Sequence, residues 1–146
     1  MDTDTMTSDR GPDLLTKRSI GGIAVHLLAL FTGVIGAGLV YLVSDHPFTK
    51  ANARNALNWH VSVLLLSFGA FLTFLLGTDT MTVGGEMVSW SPLPDPVANI
   101  VGLLGMVLLF VAGLAWLLTT LFTLVATIKA IFGTPWEYPL ARDFIN

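Results

Sequence analysis

The chain has 146 residues, 53% of them hydrophobic and only 12% charged, and it contains no cysteine. Ordinary soluble domains carry roughly a quarter charged residues, so a soluble globular domain is a poor fit, and disulfides, thiolate metal sites and cysteine nucleophiles are excluded. A net charge of -3, with no Lys/Arg cluster to track phosphates, gives no nucleic-acid partner.

Residues 1–19 form an acidic tail with Asp2, Asp4, Asp9 and Asp13 among Thr, Ser, Gly and Pro, a composition that reads as disordered. It is not a signal peptide by pattern. Its basic residues, Arg10, Lys17 and Arg18, arrive late, and the apolar run behind them exceeds a typical h-region. That run, residues 20–43, is the first apolar segment. As one helix it would reach about 36 Å, enough to cross a hydrocarbon core of about 30 Å. It carries His26. Ala29, Gly33 and Ala37 recur at every fourth position, a small-residue face that lets another helix approach closely, and Gly36 and Gly38 soften the segment. Ser44 or Asp45 is the expected cap of the next helix, with Pro47 in its first turn.

The second segment, 47–76, starts as an interfacial amphipathic helix. Lys50 and Arg54 lie on one side, with Phe48, Ala51 and Asn55 nearer the other. From Ala56 onward it is apolar and long enough to span. Residues 77–95 form a loop, in which 82–88 predict a small β-hairpin around Gly84-Gly85 and Trp90 marks an interface. Asp95-Pro96 predicts a capped helix start. The third segment, 97–132, would measure about 54 Å as a helix, too long for one crossing and too short for two with a turn. One long, tilted or bent helix is therefore expected, with Gly113 a plausible bend. Ala98, Gly105, Ala112, Thr119 and Ala126 recur at seven-residue spacing, which predicts a left-handed packing seam. Lys129 falls in the last turn, Gly133 and Pro135 end the helix, and residues 133–146 form an interfacial strap.

These elements predict an all-α integral membrane bundle of three segments, with residues 20–146 as one domain in the lipid bilayer of the cell membrane. No Lys or Arg lies between Arg54 and Lys129. The loop between them carries Asp79, Glu86 and Asp95. Counting basic residues near the span ends places loop 77–95 outside, and segment 44–56 and the C-terminus in the cytoplasm. The first segment strains this rule. A single crossing, the simpler structure and the one favoured, puts Arg10, Lys17 and Arg18 outside. A dip that returns at Gly33 to Gly38 keeps every basic residue inside, but requires shelter by protein.

Polar residues inside spans are the default functional candidates. Asn55, Asn58 and Ser62 fall within about 60° on a helical wheel, where they either line a path or bond to a neighbouring helix; the second reading is favoured. His26 and His60 stand alone in sequence. A haem or metal site needs several convergent ligands, so no metal and no cofactor is expected. No hydrolase elbow, P-loop, zincin motif or carboxylate pair appears, and no enzyme is expected.

Two stretches carry a resemblance. One is Pro47-Phe48-Thr49-Lys50-Ala51-Asn52-Ala53-Arg54-Asn55-Ala56-Leu57-Asn58-Trp59. The other runs from Ile128-Lys129-Ala130 through Gly133 to Trp136-Glu137-Tyr138-Pro139-Leu140 and Arg142-Asp143-Phe144-Ile145. Together they resemble an uncharacterised family of small prokaryotic membrane proteins, a domain of unknown function of the Tic-twenty-like group, named for a chloroplast inner-envelope import component. The resemblance spans roughly 20–146 and implies three helical membrane segments and no catalytic residues. Members of that family usually carry His at position 52 and Gln at 55 and 60, where this chain has Asn52, Asn55 and His60.

Both stretches fall at the cytoplasmic edge of the expected topology. The candidate polar cluster is therefore Asn52, Arg54, Asn55, Asn58 and Ser62 with Trp136, Glu137, Tyr138 and Arg142. Glu137 or Asp143 is expected to pair with Arg54 or Lys50. The favoured function is a scaffold or accessory subunit of a membrane complex, self-associating through Gly/Ala faces or joined to larger partners. The alternative is a transport or protein-translocation component that forms a path as an oligomer.

Overall fold

A computed structural model describes residues 18–89 and 91–145. The expected tail up to residue 17 and the interfacial Trp90 lie outside the described residues. Four helices and one two-stranded sheet follow in chain order: α1 (Ile20–Thr32), α2 (Val34–Val43), α3 (Pro47–Leu76), β1 (Thr80–Val83), β2 (Glu86–Ser89) and α4 (Asp95–Ile131).

The first apolar segment is not the single helix expected of it. Gly33 adopts φ 59° and ψ -136°, a conformation open to glycine and strained for side chains, and the helix stops there. A Cβ on Gly36 would meet Leu28 at 3.1 Å, although a straight helix would hold positions eight apart at about 12 Å. The chain has therefore folded back. α1 runs beside the start of α3 in the same direction, with Ser19 Oγ 2.6 Å from Thr49 Oγ1 and His26 Nε2 2.8 Å from Asn52 Oδ1. α2 runs the opposite way. Gly38 faces Leu57, and Tyr41, nearer the end of α2, lies 5.3 Å from the Lys50 ammonium. Both ends of residues 20–43 thus sit at one pole of the bundle, as in the dip-and-return alternative. At 13 and 10 residues, α1 and α2 are about 20 and 15 Å long, each short of a crossing. The expected three-segment bundle is a four-helix one. The expected face of Ala29, Gly33 and Ala37 is split by the turn, with Ala29 and Ala37 both buried.

α3 occupies the predicted 47–76. Its N-cap is His46, without a side-chain cap hydrogen bond, rather than Ser44 or Asp45. α4 starts with Asp95 as its first residue and Pro94 as its cap, one position earlier than expected, which puts the Asp95 carboxylate in the first turn, where the helix dipole favours it. α4 ends in a Schellman arrangement: Gly133 at φ 79° with Thr134 N–H donating to Lys129 O at 3.0 Å, so the last carbonyls are satisfied. Arg18 adds a further bond, Nη1 to Ile131 O at 3.1 Å.

α3 and α4 pack antiparallel along the predicted seam. Ala98, Gly105, Ala112, Thr119 and Ala126 are all buried. The backbones touch most closely at the far pole. A Cβ at Gly77 would land on the backbone of Gly102, and one at Gly105 on that of Phe74. Beyond this point β1 and β2 pair in the register Val83↔Glu86. Gly84 and Gly85, at φ 62° and 92°, fill the two-residue turn that requires positive φ.

α3 and α4 are each long and apolar enough to cross a membrane. Large apolar side chains remain uncovered on the outer faces, among them Ile35 at 72%, Phe110 at 68% and Leu117 at 72% exposed. A belt of this extent is far larger than the patches a soluble monomer exposes.

Candidate functional site

The polar face of α3 meets the C-terminal strap at the basic pole. Asn52 lies at the centre. Its Nδ2 donates to Phe48 O at 2.9 Å, and its Oδ1 accepts from His26 Nε2. The other imidazole nitrogen, Nδ1, is 2.9 Å from the Tyr138 hydroxyl. Since Asn52 Oδ1 only accepts, His26 is the Nε2–H tautomer and Tyr138 must donate. The chain Tyr138 → His26 → Asn52 → Phe48 O runs in one direction with every group filled. His26 and Asn52 are both fully buried, where an unpaired polar group would be costly. The imidazole thus joins α1, α3 and the strap, and neither nitrogen has a lone pair left for a metal.

Burial pushes the Tyr138 phenol above its ordinary range, which keeps it a donor. Its ring stacks on Trp59 at 13° and 5.8 Å. Trp59 donates Nε1–H to Thr119 Oγ1 at 3.0 Å, and Phe122 meets Trp59 edge-on at 5.0 Å. Trp136 closes the group 5.2 Å from Tyr138. Aromatic pairs of this kind contribute about 0.5–1.5 kcal/mol each beyond area burial.

Further along the strap, Asn58 Oδ1 accepts from Phe144 N at 3.1 Å and Ile145 N at 3.0 Å. Ser62 Oγ accepts from Arg142 N at 3.0 Å and donates to Asn58 O. A segment without regular structure needs partners for its backbone, and the Asn/Ser stripe of α3 supplies them.

The structure thus brings together Asn52, Asn58, Ser62, Trp136, Tyr138 and the backbone of Arg142. Asn55 and Glu137 border a small cavity with Asn58, Tyr138, Ala141 and Asp143. Arg54 borders a different groove with Tyr41, Pro47, Lys50 and Ala51. The expected pairing of Arg54 or Lys50 with Glu137 or Asp143 is not formed among the described residues: the acids face the strap cavity while the basic residues face the α2 side. His26, read as solitary in the sequence, is instead the hub. Its partners are 26 and 112 positions away, a distance at which no local pattern can signal. His60 is 5% exposed, and its Nε2 has no hydrogen-bond partner among the described residues. Among those residues no three of His, Cys, Asp and Glu converge as a metal site.

Residues 17–145 match the model of the magnetosome magnetite crystal formation protein family, MamF/MmsF, and the chain belongs to that family. This corrects the resemblance to the Tic-twenty-like group. Basic residues near span ends and aromatic residues at the interface are common to membrane helices in general. Of the departures, Asn52 falls at a position that carries this chain's own contacts, to His26 and to Phe48 O. No curated protein and no solved structure matches the chain.

Proposed function

We propose that this chain, as a member of the magnetosome magnetite crystal formation family, is a membrane scaffold that presents its acidic loop to the mineral. The observation that carries this reading is the confinement of Lys and Arg to one pole: Asp45, Glu137 and Asp143 lie there with them, whereas the charged residues described at the hairpin pole are all acidic. Asp79, Glu86 and Asp95 are exposed at the hairpin pole, while Arg18, Lys50, Arg54, Lys129 and Arg142 belong to the opposite half. With both ends of the α1–α2 hairpin at the basic pole, the positive-inside rule and the fold favour one orientation: basic pole cytoplasmic, hairpin in the vesicle lumen, α3 and α4 crossing, α1–α2 dipping in and returning under the cover of α3. Carboxylate oxygens suit hard cations, and the two-stranded hairpin holds Glu86 on an ordered element rather than a loose loop. The role needs no catalytic group and no nucleic acid.

The test is a chain carrying Asp79→Asn, Glu86→Gln and Asp95→Asn in cells that form magnetite, with crystals measured by electron microscopy. Altered size or habit at an unchanged membrane level of the protein supports the reading, and unchanged crystals refute it. The transport alternative loses support, because the Asn/Ser stripe of α3 is taken up by the chain's own strap and little of it is left to line a path. The α4 seam is likewise spent inside the monomer, so self-association would use other faces, such as the one around Gly113, where an added Cβ meets nothing within 4 Å.

A further inference from the structure

α3 opens at the basic pole without electrostatic relief. Its N-cap His46 makes no side-chain cap hydrogen bond, and its first turn holds no acidic residue. A cation near the positive end of a helix dipole is unfavourable, yet Lys50 lies within a turn of that end. Pro47, Lys50, Ala51 and Arg54 are three or four residues apart, so they share one face of the helix. With Tyr41 of α2 they line a groove of about 260 Å³, large against the order of 10–15 Å³ that one water needs. The Lys50 ammonium stands over the Tyr41 ring, 5.3 Å from its centroid, a cation–π arrangement that keeps it on the groove.

Arg54 is half-buried, and its guanidinium makes no hydrogen bond and no ion pair among the described residues. Lys50 likewise has no carboxylate within 4.0 Å among them. Asp45, the nearest acid in the chain, pairs with neither. A guanidinium is a planar fork of donors whose geometry matches phosphate. Partly desolvated and unpaired, beside a second cation and an uncapped helix start, it calls for an anion from outside the chain.

The surroundings of the groove say what carries that anion. Leu42 and Val43, which follow Tyr41 in α2, are 77% and 75% exposed and belong to the uncovered apolar belt. The groove therefore lies where the belt ends and positive charge begins. A molecule with an apolar chain and a phosphate matches both parts, whereas a free phosphate matches only the second. Basic pockets between membrane helices take lipid headgroups in this way. We propose that the groove binds the phosphate of an anionic phospholipid through Arg54 and Lys50, with an acyl chain along Leu42 and Val43. The bound lipid fastens the α2–α3 corner to the membrane. The site lies at the pole opposite the acidic loop and does not depend on the loop's role.

The full chain, purified in detergent, is to be titrated with phosphatidylglycerol or phosphatidylcholine, and bound lipid counted by native mass spectrometry. The expected result is a single saturable phosphatidylglycerol adduct, roughly tenfold tighter than that of phosphatidylcholine, whose headgroup adds a positive charge. Millimolar inorganic phosphate does not displace it. Lys50→Gln and Arg54→Gln each weaken it about fivefold, the worth of one cation near an anionic headgroup. Lys129→Gln, the same charge change at an exposed position on α4, leaves it unchanged. Equal binding of the two lipids, displacement by inorganic phosphate, unchanged affinity in either groove variant, or an equal loss in Lys129→Gln overturns the proposal. Should Arg54→Gln not fold, Lys50→Gln decides alone, since Lys50 is exposed: unchanged affinity there overturns the site.

Discussion

The Tyr138 hydroxyl holds the last link of a one-way hydrogen-bond chain, and removing it leaves the acceptor nitrogen of a fully buried His26 without a donor. Tyr138→Phe is therefore expected to cost about 1–3 kcal/mol, read as a lower unfolding temperature in detergent. The same phenol gives a pH dependence with a definite sign. Burial raises its pKa in the folded chain, whereas the unfolded phenol ionises near about 10. Its contribution is thus complete below about pH 10 and declines as pH rises above that value. Tyr138→Phe should flatten the alkaline limb of a stability-against-pH curve. Of this site, the sequence shows the polar face of α3, since Asn55, Asn58 and Ser62 share one side by helical spacing alone. The meeting of that face with the strap is an expectation from the topology, not a pattern in the residues. The sequence does not show His26 as the hub, because the bonds that make it one cross from α1 to α3 and the strap. Nor does it show that Arg54 turns toward the α2 side, away from Glu137.

At the scale of elements, what repeats locally was legible and what depends on one backbone angle was not. The bounds of α3, the Gly84-Gly85 hairpin and the five-residue seam of α4 all follow from spacing. The fold-back at Gly33 does not, since one apolar helix of 24 residues and two short ones in tandem have the same hydropathy. Gly33→Ala has open space around its Cβ, so its effect isolates the backbone: a loss of about 1–3 kcal/mol by thermal unfolding, with protease sensitivity in 20–43 as a second readout. A single straight helix would instead gain stability from the same change, because alanine is the better helix former. Gly105→Leu tests the seam. Its side chain would enter the Phe74 backbone, and overpacking of this kind costs about 1–3 kcal/mol or more. A change on the open face at Gly113 should cost little by comparison.

At the scale of the whole molecule, the fold reconciles the distribution of basic residues with the length of the first apolar segment. A single crossing by 20–43 would carry Arg18 to the pole of Asp79 and Glu86, whereas the α1–α2 hairpin returns it to Lys129, with Arg18 bonded to the end of α4. One pole then carries the strap and every Lys and Arg of the described residues, and the other, tipped by a β-hairpin, carries only acids among its described charged residues, the arrangement that the proposed scaffold role calls for. The absence of native cysteine makes this open to direct measurement. Single cysteines replacing Arg18, Asp45 and Thr82 are to be treated with a membrane-impermeant maleimide on intact, isolated magnetosomes, whose outer surface is cytoplasmic. Positions 18 and 45 should label on the intact vesicles and position 82 only after detergent; labelling of 82 on intact vesicles, or protection of 18 while 45 reacts, would contradict the orientation and the hairpin together.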